Sequence, residues 1–285
     1  MSGLAFALVL TAAFLHAAWN FLLKRINAGP ELVWLFSTLT LIIYLPVAAA
    51  VWVIEKPQFD LVSGGFVLGS AVLHLGYLLV LQQGYRRGDL SLVYPTARAT
   101  GPFLSTIFAV IILGEALTPQ VAVGAAAIIG GVFFLTGGLR RGKGQVTTSL
   151  LFGVATGALI GTYTVWDAYT VTTLMVSPIL LDYASSITRS VALTPYALKH
   201  RTLVYALWRT HRYRVLGVAI FSPLAYTLVL FAFTFTPVIF IAPLREVSVL
   251  LTVLMGTFLL GEPSPGKRLG WAVVIVFGIA LLATA

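Results

Sequence analysis

The stretch RATGPFLSTIFAVIILGE (98–115) begins with an arginine and ends with Leu-Gly-Glu, and REVSVLLTVLMGTFLLGE (245–262) does the same 147 residues later. The same shift superposes three further pairs, which are Trp19 on Trp166, Asn20 on Asp167 and Gly131 on Gly278. One register therefore relates positions near both ends of each half. The sequence predicts an internal repeat on this ground.

The composition is that of an integral membrane protein. Of the 285 residues, 59% are apolar and 9% are charged, whereas a soluble domain carries about 25% charged residues. Apolar runs of about 20 residues, the length of a membrane-spanning helix, recur along the whole chain. The predicted spans are 2–23, 31–54, 61–84, 90–113, 119–138, 148–170, 176–198, 213–235, 238–260 and 267–284.

Lys and Arg concentrate in alternate loops between these spans. The odd-numbered loops contain 14 of them and the even-numbered loops contain one. By the positive-inside rule, the odd loops are predicted to be cytoplasmic and both termini external, in a cell membrane, inner or plasma. The net charge of +9 is then a topology signal, and nucleic acid is not expected as a partner. A phosphate-binding interpretation of the long basic loop at 199–214 stays open.

The two halves are predicted to be inverted relative to each other. Each contains five spans, and because five is odd, the second half enters the membrane from the opposite side. Matched loops accordingly have opposite charge bias, as in transporters built from repeats related by an axis in the membrane plane. We predict an all-α transmembrane domain of ten helices, with five-helix repeats at 2–138 and 149–285 around a central cavity.

Three segments carry a family resemblance. They are HAAWNFLLKR (16–25), GDLSLVYPTARATGPFLSTIFAVIILGEALTP (88–119) and APLREVSVLLTVLMGTFLLGE (242–262). With the ten spans and the repeat, they resemble the EamA family of the drug/metabolite transporter superfamily over essentially the whole chain. The resemblance implies a secondary transporter that moves small metabolites such as amino acids, often outward and without ATP hydrolysis. It does not fix the substrate.

One position departs from a related group. In the similar four-helix multidrug exporters, an acidic residue of the first helix lies eight residues before a closing lysine. Here the residue eight before Lys24 is His16, and its repeat mate is Tyr163. The resemblance therefore does not carry over that device for proton-coupled export of hydrophobic cations.

Charged residues inside the spans are the first site candidates. A charge at mid-membrane costs about 2.5–3.5 kcal/mol on insertion scales, so such groups face the bundle interior or a water-filled cavity. Arg98 and Arg245 are repeat mates, each at the start of a stripe of small residues, and are predicted to be two related cationic anchors. The alternatives are packing seams and ion pairs that lock helices. Glu246 has no acidic mate and is expected to be structural, either neutral or paired.

Further candidates combine aromatic, amide and carboxylate groups, which suit a small polar or zwitterionic ligand. Two matched faces consist of Tyr163, Trp166 and Asp167 in the sixth span and His16, Trp19 and Asn20 in the first. The other candidates are His74 and Tyr77 in the third span, Tyr94 in the fourth, Asp182 and Arg189 in the seventh and Tyr226 in the eighth. Interfacial belts remain the alternative for the two tryptophans, and helix-to-helix hydrogen bonds for the two histidines.

Several repeated features are predicted to be structural. The small-residue face of Gly153, Gly157 and Gly161 is typical of a close helix contact. Gly114 and Gly261 fit the position after a helix end, and Thr118-Pro119 and Ser264-Pro265 fit a helix start. Glu115 and Glu262 are expected to be turn and interface residues.

The sequence favours a secondary transporter of a small polar or zwitterionic metabolite, working by alternating access, with export favoured. Efflux of amphipathic drugs is the alternative within transport. An enzyme is not expected, because the chain contains no His-Glu-x-x-His, Gly-x-Ser-x-Gly or P-loop motif. A receptor or scaffold is a further alternative.

The expected partners are a small-molecule substrate and the lipid bilayer, without a cofactor or metal. The chain contains no cysteine, which excludes disulfides and thiolate ligands. Proton coupling, with Asp167, Asp182 and the two histidines as candidate carriers, and the choice between monomer and homodimer both stay open.

Overall fold

The structure is a computed structural model that describes residues 1–26, 28–57, 60–88, 90–136, 146–260 and 265–285. For residues 24, 90, 91, 255–260 and 265–268 it describes the backbone alone. The described residues form eleven helices. These are α1 (Gly3–Ile26), α2 (Pro30–Glu55), α3 (Leu61–Arg87), α4 (Leu90–Ile112), α5 (Pro119–Leu135), α6 (Val146–Thr172), α7 (Pro178–Lys199), α8 (Arg201–Phe233), α9 (Val238–Arg245), α10 (Val247–Leu260) and α11 (Pro265–Thr284).

The all-α fold class is confirmed. Five segments are long and apolar enough to cross a membrane, and they are Gly3–Leu23, Pro30–Glu55, Leu61–Arg87, Val146–Thr172 and Arg201–Phe233. Two shorter apolar helical segments are Pro119–Leu135 and Leu269–Thr284. Charges inside α4 and α7 lower their hydropathy, while α9 and α10 are each short because the ninth predicted span is broken. The ten-span count therefore stays a prediction.

Contacts between distant helices fix their relative directions. Trp34 Nε1 of α2 donates to Thr194 Oγ1 of α7 at 3.0 Å, and one turn further along α2 Thr38 pairs with Ser190 at 2.8 Å. The residue numbers rise on one helix and fall on the other, so α2 and α7 are antiparallel. Gln120, at the start of α5, likewise donates to the Leu281 carbonyl near the end of α11, at 3.0 Å.

The α5–α11 contact is reciprocal between the two halves. A Cβ atom added to Gly131 would lie 2.6 Å from Ile275 Cγ1, and one added to Gly278 would lie 2.8 Å from Ile128 Cγ1. Gly131 and Gly278 are 147 residues apart, and so are Ile128 and Ile275. The same residue pair thus occurs twice with the partners exchanged, as in a two-fold symmetric interface.

The predicted small-residue face of α6 is confirmed as a helix contact. A Cβ atom on Gly153 would lie 2.6 Å from Thr96 Cβ, and one on Gly157 would lie 2.5 Å from Thr100 Cβ of α4. Real Cβ atoms do not approach this closely, so only glycine allows the two backbones to pack at this distance. Both residue numbers rise together, so α4 and α6 are parallel and the face of α4 is held against α6.

The basic segment before the eighth span was wrongly predicted to be a loop. The structure continues α8 back to Arg201, with a kink at His211, where φ is −126° and ψ is 18°. Val204, Leu207 and Trp208 recur at helical spacing and pack against a cluster that includes Leu35 of α2. The number of charges in the segment does not reveal this apolar face. Packing of the apolar face against α2 stabilises the helix.

The ninth predicted span is broken at Glu246. The Glu246 amide donates to the Pro243 carbonyl at 3.0 Å, a tighter turn than that of an α-helix. Pro243 lacks an amide hydrogen, which removes one bond of the helical ladder just before the break. In the first repeat, α4 continues through Pro95.

The structure also confirms the predicted turn features of the first repeat. Gly114 has a φ of +69°, the left-handed region expected after a helix end. Thr118 Oγ1 accepts a hydrogen bond from the Val121 amide at the start of α5.

Glu115 is an interface residue, because its two carboxylate oxygens accept hydrogen bonds from consecutive amides at the start of α9. The distances are 2.8 Å from the Val238 nitrogen and 2.9 Å from the Ile239 nitrogen. The matching features at Gly261, Glu262 and Ser264 lie outside the described residues.

Candidate functional site

A cavity of about 310 Å³ lies among helices α1–α4 and α6–α9. Ligand sites in proteins have volumes of about 300–1,000 Å³, so the cavity is large enough for a small metabolite. Sequence-predicted residues that line it are His16, Trp19, Asn20, His74, Tyr77, Tyr94, Arg98, Tyr163, Asp182, Arg189, Tyr226 and Arg245. Trp166 and Asp167 do not line it.

Arg98 of α4 is neutralised by an acid from the other half of the chain. Its Nη1 atom lies 3.5 Å from Oε1 of Glu246, and its Nη2 atom lies 3.4 Å from His16 Nε2. The guanidinium also lies over the Tyr94 ring, 5.5 Å from the centroid. Glu246 is therefore paired and not isolated, although its buried Oε2 atom has no partner among the described residues.

Arg245 lines the same cavity without such a partner. Within the described residues, no carboxylate lies within ion-pair distance of its guanidinium, which lies over the Tyr226 ring at 5.6 Å from the centroid. A narrow extension of the cavity, about 20 Å³ in volume, is lined by Arg245, Arg98, Glu246 and His16. The two repeat-related arginines thus converge on one place, and Arg245 is the one without an ion pair among the described residues.

A separate polar cluster lies on α7. Arg189 donates from Nη2 to Ser186 Oγ at 3.0 Å, while its buried Nε atom finds no partner in the described part of the chain. Asp182 is 6% exposed, interacts electrostatically with Arg189, and has no cation within ion-pair distance among the described residues. Both side chains line the cavity together with Ser185. The cavity wall therefore offers a carboxylate and a guanidinium that form no ion pair with each other.

Aromatic rings and a buried acid form another part of the wall. The His74 ring stacks on Tyr163 with 4.1 Å between centroids, and His74 Nε2 lies 2.9 Å from Asp167 Oδ2. Tyr226 donates its hydroxyl hydrogen to the same oxygen. Asp167 is fully buried behind this wall, and its Oδ1 atom has no partner in the described structure. His74 and Tyr226 therefore connect Asp167 to the cavity.

The two repeat-related tryptophans have different positions. Trp166 packs between α3 and α6, stacked on Phe66 at 4.4 Å, and donates from Nε1 to the Phe66 carbonyl at 2.8 Å. It lies directly over Gly69, where a Cβ atom would come within 2.5 Å of its Cζ2 atom. Gly69 has no side chain, so the Trp166 ring fits into the contact between α3 and α6. Trp166 therefore does not reach the cavity. Trp19 does line it, and its buried Nε1 has no partner among the described residues.

Some residues of the cavity wall were not predicted from the sequence. Thr156 is fully buried, lines the cavity and has an Oγ1 atom without a partner in the described structure. It lies seven residues before Tyr163, so helical periodicity along α6 would have found it. Tyr85 follows His74 and Tyr77 on one face of α3 by the same rule. Ser222 lies four residues before Tyr226 on α8.

Comparisons with known proteins agree with this architecture. Residues 3–137 match the model of the EamA-like transporter family. A solved structure, described as "Crystal structure of protein", superposes with a TM-score of 0.76 over 100% of this chain and 98% of its own, at 17% sequence identity. At that identity the likeness shows the shared fold alone. No curated protein matches the chain. Residues 3–137, which are 135 of the 285 residues, are thus similar to the EamA-like transporter family, a family of multi-pass membrane transporters in the drug/metabolite transporter superfamily.

Proposed function

We propose that this chain is a secondary transporter of a small zwitterionic metabolite, an amino acid or related compound, with export favoured. The observation that carries the proposal is the presence in one cavity of two opposite charges that form no ion pair. Among the described residues, no carboxylate lies within ion-pair distance of Arg245 and no cation lies within ion-pair distance of Asp182. A ligand with both a carboxylate and an amine would satisfy both.

Burial of unpaired charges inside a membrane protein needs a compensating role. Breaking a buried ion pair leaves a charge whose desolvation costs several kcal/mol, so a cavity that keeps Arg245 and Asp182 apart carries that cost in its empty state. The guanidinium of Arg245 has the planar geometry that binds a carboxylate through two hydrogen bonds. The carboxylate of Asp182 complements an ammonium group. Substrate binding would pair both charges at once.

The predicted internal repeat is the reason for proposing transport by alternating access. Added to the bounds of α1, α2 and α5, the shift of 147 gives 150–173, 177–202 and 266–282, close to α6, α7 and α11. The reciprocal contacts of α5 with α11 support a pseudo-two-fold relation between 2–138 and 149–285. Rocking one such unit against the other would expose the cavity to each side in turn.

The orientation is proposed from charge alone. The excess of Lys and Arg in odd-numbered loops supports cytoplasmic odd loops, external termini and a location in the cell membrane.

The deciding experiment is transport by the purified chain in proteoliposomes. A panel of amino acids is compared with their N-acetyl derivatives, which lack the amine charge, and their methyl esters, which lack the carboxylate. We expect the zwitterions to be transported and both derivatives to be poor substrates. Equal transport of the esters would refute the role of Arg245, and equal transport of the N-acetyl forms would refute that of Asp182.

Efflux of amphipathic drugs is the second candidate, because aromatic rings form much of the cavity wall. The rings include Tyr77, Tyr85, Tyr94, Tyr163 and Tyr226. In this case hydrophobic cations would be transported in the same vesicles and amino acids would not compete with them. A third arm of the experiment imposes a pH gradient, because Asp167, Asp182, His16 and His74 are the candidate proton carriers. Stimulation by the gradient would support proton coupling, and no stimulation would favour facilitated diffusion.

A further inference from the structure

An apolar groove of about 370 Å³ lies outside the cavity, between α2, the end of α7 and the start of α8. Its wall includes Trp34, Leu39, Leu198, Val204 and Trp208. Arg201, the first residue of α8, lines the same groove. Arg201, Val204 and Trp208 lie at spacings of three and four residues, so they share one face of α8. A cation is thereby held at the edge of an apolar slot.

The length of α8 places this groove at the membrane surface. At 1.5 Å per residue, its 33 residues span about 50 Å, whereas the hydrocarbon core of a bilayer is about 30 Å thick. The kink at His211 divides α8 into two parts. The longer apolar part spans the hydrocarbon core, and the first eleven residues extend beyond it. Tyr205 and Tyr213, on either side of the kink, are 66% and 75% exposed, as expected of aromatic side chains in an interfacial belt.

The segment beside the groove is strongly basic. No acidic residue occurs between Asp182 and Glu246, while the segment 199–214 contains five Lys and Arg residues. Arg214 contacts His211 and Arg212 lies over the Tyr213 ring. Arg201 forms no ion pair with a carboxylate in the described part of the chain. Its charge is therefore available to an anion at the mouth of the groove.

We propose that the groove binds an anionic phospholipid of the surrounding leaflet, with an acyl chain along the apolar wall and the lipid phosphate on Arg201. An acyl chain matches the wall formed by Leu39, Leu198 and Val204, and the phosphate matches the guanidinium at its edge. The charge distribution of the loops predicts that this end faces the cytoplasm, whose leaflet carries anionic lipids. The inference does not depend on the substrate of the central cavity.

The test is native mass spectrometry of the purified full chain in detergent, titrated with dioleoyl phosphatidylglycerol. We expect a one-to-one complex that is weakened about fivefold by Arg201→Gln, the effect of removing one basic residue from an anionic surface. Arg201→Lys keeps the charge and should retain most of the affinity. The matched control is Arg86→Gln, which removes an exposed arginine on the same predicted side, away from the groove.

Three outcomes would overturn the proposal. Equal weakening by Arg86→Gln would mean that general surface charge holds the lipid. Equal binding of dioleoyl phosphatidylcholine, measured on the unmodified chain and so independent of any variant's folding, would mean that the headgroup is not recognised. Displacement of the lipid by inorganic phosphate at the same concentration would mean that the site takes a free anion. Loss with Arg201→Gln alone, together with preference for the anionic lipid, would support it.

Discussion

Arg98 lies 3.5 Å from Glu246, so the arginine of the first repeat is neutralised by an acid that follows the arginine of the second. Arg245, the mate of Arg98, has no such partner among the described residues. Of two arginines related by the shift of 147 residues, one therefore forms an ion pair and the other does not. The pair also ties α4 to the break between α9 and α10. These two arginines should consequently respond differently to substitution.

Glu246→Gln is expected to destabilise the fold. The change leaves Arg98 without its acidic partner, and an unsatisfied buried group costs about 1–3 kcal/mol, more when it is charged. We expect a lower midpoint of thermal unfolding in detergent. Glu55→Gln, at the exposed end of α2, is the matched control and should leave the midpoint unchanged. An unchanged midpoint for Glu246→Gln would show that the ion pair contributes nothing to stability.

Arg245→Gln is expected to impair substrate binding more than stability. A hydrogen bond to a charged group contributes about 1.5–3 kcal/mol, so we expect KM to rise roughly tenfold to a hundredfold. Arg245→Lys keeps the charge and should recover part of the affinity, although it loses the two-pronged geometry. Initial rates in proteoliposomes measure both. Unaltered KM in Arg245→Gln, with transport intact, would remove Arg245 from the substrate site.

Asp182→Asn should change substrate preference. The amide keeps the shape of the side chain and removes its charge, so the free amine of a zwitterion loses its partner. We expect the ratio of rates for an amino acid and its N-acetyl derivative to fall by about tenfold, the loss of one charged interaction. The same ratio in Glu31→Gln, outside the cavity on α2, serves as the control. A constant ratio in Asp182→Asn would place the amine elsewhere.

Asp167→Asn tests proton coupling. Among the described residues, Asp167 is connected to the cavity through His74 and Tyr226, and an amide in its place cannot accept a proton from them. We expect stimulation by a pH gradient to disappear, while exchange of labelled for unlabelled substrate without a gradient continues. Loss of both activities with a normal unfolding midpoint would indicate a role in binding. Persistent stimulation would exclude Asp167 as the carrier.

The sequence predicted those parts of the molecule that depend on periodicity. The shift of 147 residues anticipated the paired helix bounds, and helical spacing placed Arg98, Arg245, Asp182 and Arg189 on faces that meet one cavity. Charges inside spans were informative because the membrane makes them costly anywhere else. The helical face of Gly153 and its neighbours was likewise visible in the spacing.

Features that depend on a particular neighbour were not predicted. The prediction of a loop at 199–214 is wrong, because it rests on the charges of the segment and not on its apolar face. The position of Trp166 depends on the empty space above Gly69, which no pattern within α6 reveals. The pairing of Glu246 with Arg98 joins residues 148 apart in sequence. Each of these features depends on a contact between residues far apart in sequence, so it is visible only in the three-dimensional structure.

Gly157→Ala is expected to destabilise the α4–α6 contact. The new Cβ would lie 2.5 Å from Thr100 Cβ and 3.0 Å from the Gly101 nitrogen, so the helices must separate. Overpacking of this kind costs about 1–3 kcal/mol, whereas alanine in place of glycine within an unhindered helix is favourable by about 0.5–1 kcal/mol. Gly65→Ala in α3 is the control, because nothing lies within 4 Å of its added Cβ. Thermal unfolding in detergent should therefore give opposite shifts for the two variants. Because α4 carries Arg98, separation should also raise KM in Gly157→Ala. A stabilised Gly157→Ala variant would mean that the two backbones do not pack as closely as the structure has them.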